Sequence, residues 1–288
     1  MIRPAQPFFL LLTTALAAAG QSHLANIRQL THGGQNAEAY WSPDGKRLIF
    51  QSTRPPYSCD QMFIMNSDGS DLHLVSTGKG RTTCGYFLAD NKHIIYASTH
   101  AAGDACPTPP DRSHGYVWGV FPSYEIYLAT DAGKILKKLT DTPGYDAEAT
   151  VNWKTGAVVY TSLASGDLDL WTMHTNGSHK KQITKQVGYD GGAVFSRDGA
   201  KLVWRANYPK TPEDMARYKS LLADNLTAPM KMEIVVADAD GSNARTITDF
   251  GSFTSFPEFS PDGKTLVFCS DRDAKERYEF NIFTADWK

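Results

Sequence analysis

Trp41-Ser42-Pro43-Asp44-Gly45-Lys46-Arg47-Leu48-Ile49-Phe50 is a turn followed by an apolar run, and the chain repeats it. Phe195-Ser196-Arg197-Asp198-Gly199-Ala200-Lys201-Leu202-Val203-Trp204 and Phe259-Ser260-Pro261-Asp262-Gly263-Lys264-Thr265-Leu266-Val267-Phe268 are close copies. Leu88 to Tyr96 and Trp153 to Tyr160 are eroded copies, with Asn91 and Gly156 at the glycine position. Proline presets φ at the first corner of a tight turn, Asp bonds back to the backbone, and Gly or Asn takes the left-handed position. The β-branched and apolar run that follows such a turn is a buried strand. Each copy is therefore a hairpin, and there are five.

A second element follows the first four hairpins. Met62 to Ser70, Glu125 to Gly133, Leu168 to Gly177 and Glu233 to Gly241 each read as a strand ending in a glycine turn. A fourth short strand comes next, in Leu72 to Ser76, Ile135 to Thr140, Lys181 to Thr184 and Arg245 to Thr248. Four antiparallel strands per repeat make the blade of a β-propeller. The turn positions Gly45, Asn91, Gly156, Gly199 and Gly263 lie 46, 65, 43 and 64 residues apart. The two shorter intervals match a bare blade of roughly 40–45 residues, and the two longer ones each carry an inserted loop. The expected fold is all-β, a five-bladed propeller over residues 21–288.

The fifth repeat ends with the strand Asn281 to Trp287 and lacks a fourth strand. Asn26-Ile27-Arg28-Gln29-Leu30-Thr31 matches the fourth-strand segments elsewhere, so the N-terminal strand is expected to complete the last blade. That pairing closes the ring and removes an exposed sheet edge. The first insertion, His100 to Ser123, is rich in Pro and aromatics; the second runs from Tyr208 to Met230. Thr211-Pro212-Glu213-Asp214 opens the second with an N-cap, a first-turn proline and two acids, which predicts one short helix near 211–224. Both insertions are expected to cap one rim, the helix as a lid over the channel mouth or as a decoration on the rim.

Residues 1–20 read as a secretory signal: Arg3, an apolar run from Pro7 to Leu16, and the small residues Ala17-Ala18-Ala19. The run is short for a membrane span, so the expected mature protein is exported, periplasmic or secreted, and has no span after cleavage. A formal net charge of −2 argues against a nucleic-acid surface. In an oxidising compartment a disulfide becomes possible. Cys59–Cys106 is the favoured pairing, with Cys59–Cys84 nearly as good. Cys269 lies in an apolar strand and is expected to be a buried thiol.

The loops that enter each innermost strand surround the channel mouth. They carry Glu38, Asp146, Glu148, Asp190 and Glu258, with Arg81 as a counter-charge. Turn chemistry does not require these acids, so together they could form an acidic ring. Such a ring would hold a cationic peptide group, a sugar or a divalent cation, the oxygen-only ligands favouring calcium or magnesium. No other cofactor is implied. Alternatively the carboxylates bond to neighbouring loop N–H groups and hold the blades in register. The chain has no Gly-x-Ser-x-Gly elbow, no His-Glu-x-x-His, no phosphate-binding glycine loop and no Cys-x-x-Cys. Binding is therefore expected over catalysis, with a hydrolase or lyase on saccharides or peptides as the alternative.

The aromatic-Ser-Pro-Asp-Gly-Lys turns, the strands ending in Asp-Gly and the Leu-Thr segments resemble the TolB-type β-propeller repeat over roughly residues 26–288. The resemblance implies a bacterial, exported binding or scaffolding propeller, monomeric, with an envelope protein or peptide as partner. Such proteins are usually six-bladed and carry an α/β domain before the propeller. This chain shows five repeats, and its propeller begins directly after the signal.

Overall fold

Each hairpin in the sequence becomes the inner half of a four-stranded sheet. The structure, a computed structural model, describes residues 24–287 apart from 112, 114, 230, 231, 249–257, 271–273, 277 and 278. The expected signal peptide, residues 1–20, lies outside the described residues. After β1 (Leu24–Gln29), blade one is formed by β2 (Gln35–Trp41), β3 (Arg47–Thr53), β4 (Gln61–Asn66) and β5 (His73–Leu74). Blade two has β6 (Thr82–Phe87) and β7 (His93–Ser98), then, beyond the inserted β8 (Trp118–Gly119), β9 (Glu125–Thr130) and β10 (Ile135–Lys138). Blade three is β11 (Asp146–Val151), β12 (Ala157–Ser162), β13 (Asp169–His174) and β14 (Lys181–Gln182). Blade four begins with β15 (Tyr189–Phe195) and β16 (Lys201–Asn207). The helix α1 (Pro212–Ala223) and β17 (Leu226–Thr227) interrupt it before β18 (Glu233–Asp238) and β19 (Arg245–Thr246). Blade five is β20 (Glu258–Phe259), β21 (Thr265–Ser270) and β22 (Asn281–Trp287), completed by β1.

The ring therefore has five blades among the described residues, as the repeats require. The six of the usual TolB-type pattern are not reached. β1 pairs antiparallel with β22, Gln29 facing Phe283 and Arg28 facing Thr284. Beyond β1, Leu30 N–H donates to the Ile282 carbonyl at 2.8 Å and the Thr31 hydroxyl accepts from Ile282 N–H at 2.9 Å. The last blade thus draws its outer strand from the opposite end of the chain.

The repeated turn is held the same way in each good copy. Ser42 Oγ donates to Asp44 Oδ1 at 2.7 Å, Lys46 N–H donates to the same oxygen at 3.1 Å, and Arg47 N–H donates to Ser42 Oγ at 3.0 Å. Ser196 with Asp198, and Ser260 with Asp262, repeat that pattern at 2.6 Å. Gly45, Gly199 and Gly263 all have φ near +70°, and Asn91 takes the same conformation in an eroded copy. The turns also join blades: Asp44 N–H donates to Asn91 Oδ1 at 3.2 Å, and Arg47 pairs with Asp131 at 2.7 Å.

The core lies between sheets rather than at the axis. Ile49, Met62 and Ile64 of blade one pack on Phe87, Ile94 and Tyr96 of blade two. Ile95 and Ile126 meet Val151, Val158 and Tyr160 at the next interface. Leu202, Trp204 and Val235 of blade four pack on Val159 and Leu170 of blade three. Val267 and Ile282 of blade five pack on Trp41, Leu48 and Phe50 of blade one. Burying such side chains contributes about 1.5–3 kcal/mol each.

Candidate binding site at the channel mouth

Each innermost strand of blades one to four contains a β-bulge in the same place. The register slips between Ala37 and Tyr40, Thr83 and Tyr86, Ala147 and Thr150, and Gly191 and Val194. The bulged residue has a left-handed φ in every case: Glu38 +51°, Cys84 +54°, Glu148 +56° and Gly192 +59°. A bulge re-aims the side chain at its centre. Glu38, Cys84 and Glu148 consequently face one another in the channel, where they line a common cavity. The residue two places before each bulge turns into its blade instead. Asn36, Thr82, Asp146 and Asp190 are all fully buried.

This division corrects the expected acidic ring. Asp146 accepts from the Thr142 hydroxyl at 2.7 Å, and burial raises its pKa. Asp190 accepts from Trp204 Nε1 at 2.7 Å and from the Tyr208 hydroxyl at 2.6 Å, and burial pushes it up to about 7. Glu258 accepts from Trp41 N–H at 2.7 Å and from the Tyr86 hydroxyl at 3.3 Å, and burial lifts it to about 7. Asp146 and Asp190 thus bond within their own blades and entry loops, and Glu258 ties blade five to blades one and two. The structure brings together only Glu38, Arg81 and Glu148 at the mouth. Cys269 is a second correction: it is exposed rather than buried.

Four further groups complete the site. Arg205, on β16, occupies the space that Gly192 leaves open; a Cβ there would stand 2.8 Å from the Arg205 guanidinium carbon. Arg205 pairs with Glu148 at 3.3 Å, both side chains being nearly buried. The Tyr189 hydroxyl donates to Glu148 Oε2 at 2.8 Å and accepts from Arg205 Nε at 3.2 Å. The Tyr145 hydroxyl donates to Glu148 Oε1 at 3.1 Å. Glu148 is thus fully engaged. Arg81 lies 3.5 Å from Asp60. Burial raises the pKa of Glu38, against the pull of Arg205. Gln51, opposite the second bulge, accepts from Cys84 N–H at 3.0 Å.

The two insertions meet over these groups. β8 and β17 pair antiparallel, Leu226 facing Gly119 and Thr227 facing Trp118, and Val120 N–H donates to the Asn225 carbonyl at 2.8 Å. Trp118 lies over the Arg205 guanidinium, 5.2 Å from ring centroid to carbon. Cys59 and Cys106 form a disulfide that ties the first insertion to blade one. The helix α1 is capped by Thr211, whose hydroxyl accepts from Asp214 N–H at 3.1 Å. It is anchored through Tyr218, which is buried and donates to Asp167. Between roof and bulges lies a cavity of about 160 Å³. Its walls include Trp118, Tyr124 and Tyr145 beside Glu38, Asp60, Arg81 and Arg205. Among the described residues no group of three or more His, Cys, Asp or Glu is placed to hold a metal ion.

Arg205 and Gln51 were legible as repeats of one position. Gln51, Ala97, Thr161, Arg205 and Cys269 end the apolar runs of the five second strands in the same register. A long polar side chain at that place is the signal of a channel-facing group.

Similar solved folds agree with the architecture. A putative TolB from Agrobacterium tumefaciens aligns with a TM-score of 0.60 at 17% identity, over 90% of this chain and 77% of that one. The propeller is TolB-like. TolB from Acinetobacter baumannii aligns with a TM-score of 0.57 at 15% identity, over 88% of this chain and 55% of that one. A chain of a nidogen/laminin complex aligns with a TM-score of 0.54 at 11% identity, over 83% of this chain and 73% of that one. Identities this low establish the TolB-like fold and nothing finer. A model of the substrate binding domain of ABC-type glycine betaine transport systems matches residues 129–260. That stretch begins at the end of β9 and stops in blade five, so it cuts across blades and corresponds to no structural unit of the propeller. The comparison with curated proteins finds no match.

Proposed function

We propose that this chain is an exported binding propeller that captures a peptide or an extended segment of an envelope protein at the roofed channel mouth. The observation that carries the reading is the β8–β17 pairing, which joins two separate insertions across the end of the channel where Glu38, Arg81 and Glu148 collect. Ligand sites carry convergent polar groups in a concave setting, and this cavity sets five charged side chains beside the rings of Trp118, Tyr124 and Tyr145. The Cys59–Cys106 disulfide supports an oxidising compartment such as the periplasm. No described helix is long and apolar enough to cross a membrane. Binding rather than catalysis is supported by Glu148, whose carboxylate oxygens are already engaged by two tyrosine hydroxyls and Arg205. Affinity capture from bacterial envelope extract tests the proposal. The wild-type chain should retain a partner that Trp118→Ala and Glu38→Gln lose; equal retention by all three would contradict it.

A further inference from the structure

Three carboxylates and two guanidinium groups line the cavity. Two of the carboxylates have cations of their own, Glu148 with Arg205 at 3.3 Å and Asp60 with Arg81 at 3.5 Å. Glu38 has no ion pair among the described residues. It is the unmatched charge in a space otherwise neutralised. The lining is also aromatic: Tyr124 and Tyr145 are nearly buried there, with Trp118 of the roof. A long cationic side chain has the complementary form, an apolar stem with a charged end. An anion would meet the unmatched carboxylate, and a neutral side chain would leave it unpaired and partly desolvated.

We propose that the cavity takes one lysine or arginine side chain of the captured peptide, with the stem along Trp118, Tyr124 and Tyr145 and the charged head against Glu38. This rests on the reading of the mouth as the peptide site and adds its specificity. The volume, about 160 Å³, admits a side chain and not a folded segment. Arg205 sets the charge count. Because Gly192 makes room for it, it neutralises Glu148, so that one positive charge is wanted rather than two. Burial raises the Glu38 pKa, and a cation beside it would work the other way by stabilising the carboxylate.

Calorimetric titration with blocked peptides of equal length, each carrying a single central Lys, Arg, norleucine or Glu, tests the proposal. The Lys and Arg peptides should bind at least tenfold more tightly than the norleucine peptide, and the Glu peptide more weakly than either. Glu38→Gln should remove the lysine-over-norleucine preference. The contrast within the wild-type chain requires no variant to fold. Equal affinity for lysine and norleucine peptides would overturn the charge selection while leaving a peptide site. Tightest binding of the Glu peptide would overturn it too. Failure of every peptide, with envelope capture still dependent on Trp118, would show that the partner is engaged by other groups. Capture indifferent to Trp118→Ala would instead defeat the underlying reading of the mouth.

Discussion

Gly192 shows how one atom decides the character of the site. Its φ of +59° is shared with Glu38, Cys84 and Glu148, so the bulge itself does not demand glycine. The demand comes from Arg205, whose guanidinium fills the place of a Cβ. Gly192→Ala should therefore displace Arg205 from Glu148 and cost about 1–3 kcal/mol, mostly by leaving a buried charge poorly paired. Urea denaturation measures that loss, and an unchanged midpoint would refute the role. The same residue scale explains what could be read from the sequence. Ser42, Asp44 and Gly45 act within their own turn, so their neighbours in sequence reveal them. Asp146 and Glu148 are two apart, and plain alternation puts both on one face. The bulge breaks the alternation, sending Glu148 to the channel and Asp146 into blade three. Asp190 stands in the Asp146 register and follows it inward. A bulge depends on pairing with the next strand, which no local pattern of residues displays.

Among the elements, the repeated strands and α1 were legible because their signals are local: turn chemistry, β-branched runs, an N-cap and a first-turn proline. The β8–β17 pairing was not. It joins segments more than a hundred residues apart in sequence and consists of two residues from each. The disulfide steadies this roof. It closes a loop between residues 47 apart, and such a crosslink contributes about 4 kcal/mol by restricting the unfolded chain. Cys106→Ser should lower the unfolding free energy, read from urea denaturation, by an amount of that order. It should also speed hydrogen exchange at the Val120 amide, which is bonded across the roof. Unchanged exchange at Val120 would mean that the roof stands without its tether. Removal of residues 24–30 belongs at this scale as well. It strips blade five of its outer strand and exposes the β22 edge, so size-exclusion chromatography should show association or aggregation. A stable monomer would show that closure is dispensable.

For the whole molecule, the buried acids set how stability depends on pH. Asp190 and Glu258 have folded pKa values of about 7, above the ordinary carboxylate range, through burial. Between about pH 4 and 7 the folded chain keeps protons that the unfolded chain releases. Their stabilising effect is present at low pH and is lost as pH rises through about 7. The turn acids Asp44, Asp198 and Asp262 act oppositely, their pKa values being lowered within the turns, mainly by the serine hydroxyls in the two exposed ones. Their contribution is lost as pH falls below the ordinary aspartate range. Thermal unfolding should therefore show greater stability near pH 5 than at pH 8. Asp190→Asn should flatten that slope, and an unaltered slope would contradict the assignment.

The central claim is that the ring presents its roofed end, and not its turn-bearing end, to a partner. A photoreactive side chain placed at Pro110, in the cavity wall, or at Lys92, in an exposed turn at the other end of the same blade, separates the two. Irradiated with bacterial envelope, the chain labelled at Pro110 should form a covalent adduct that an excess of unlabelled chain suppresses. Adducts from Lys92 with none from Pro110 would contradict the account.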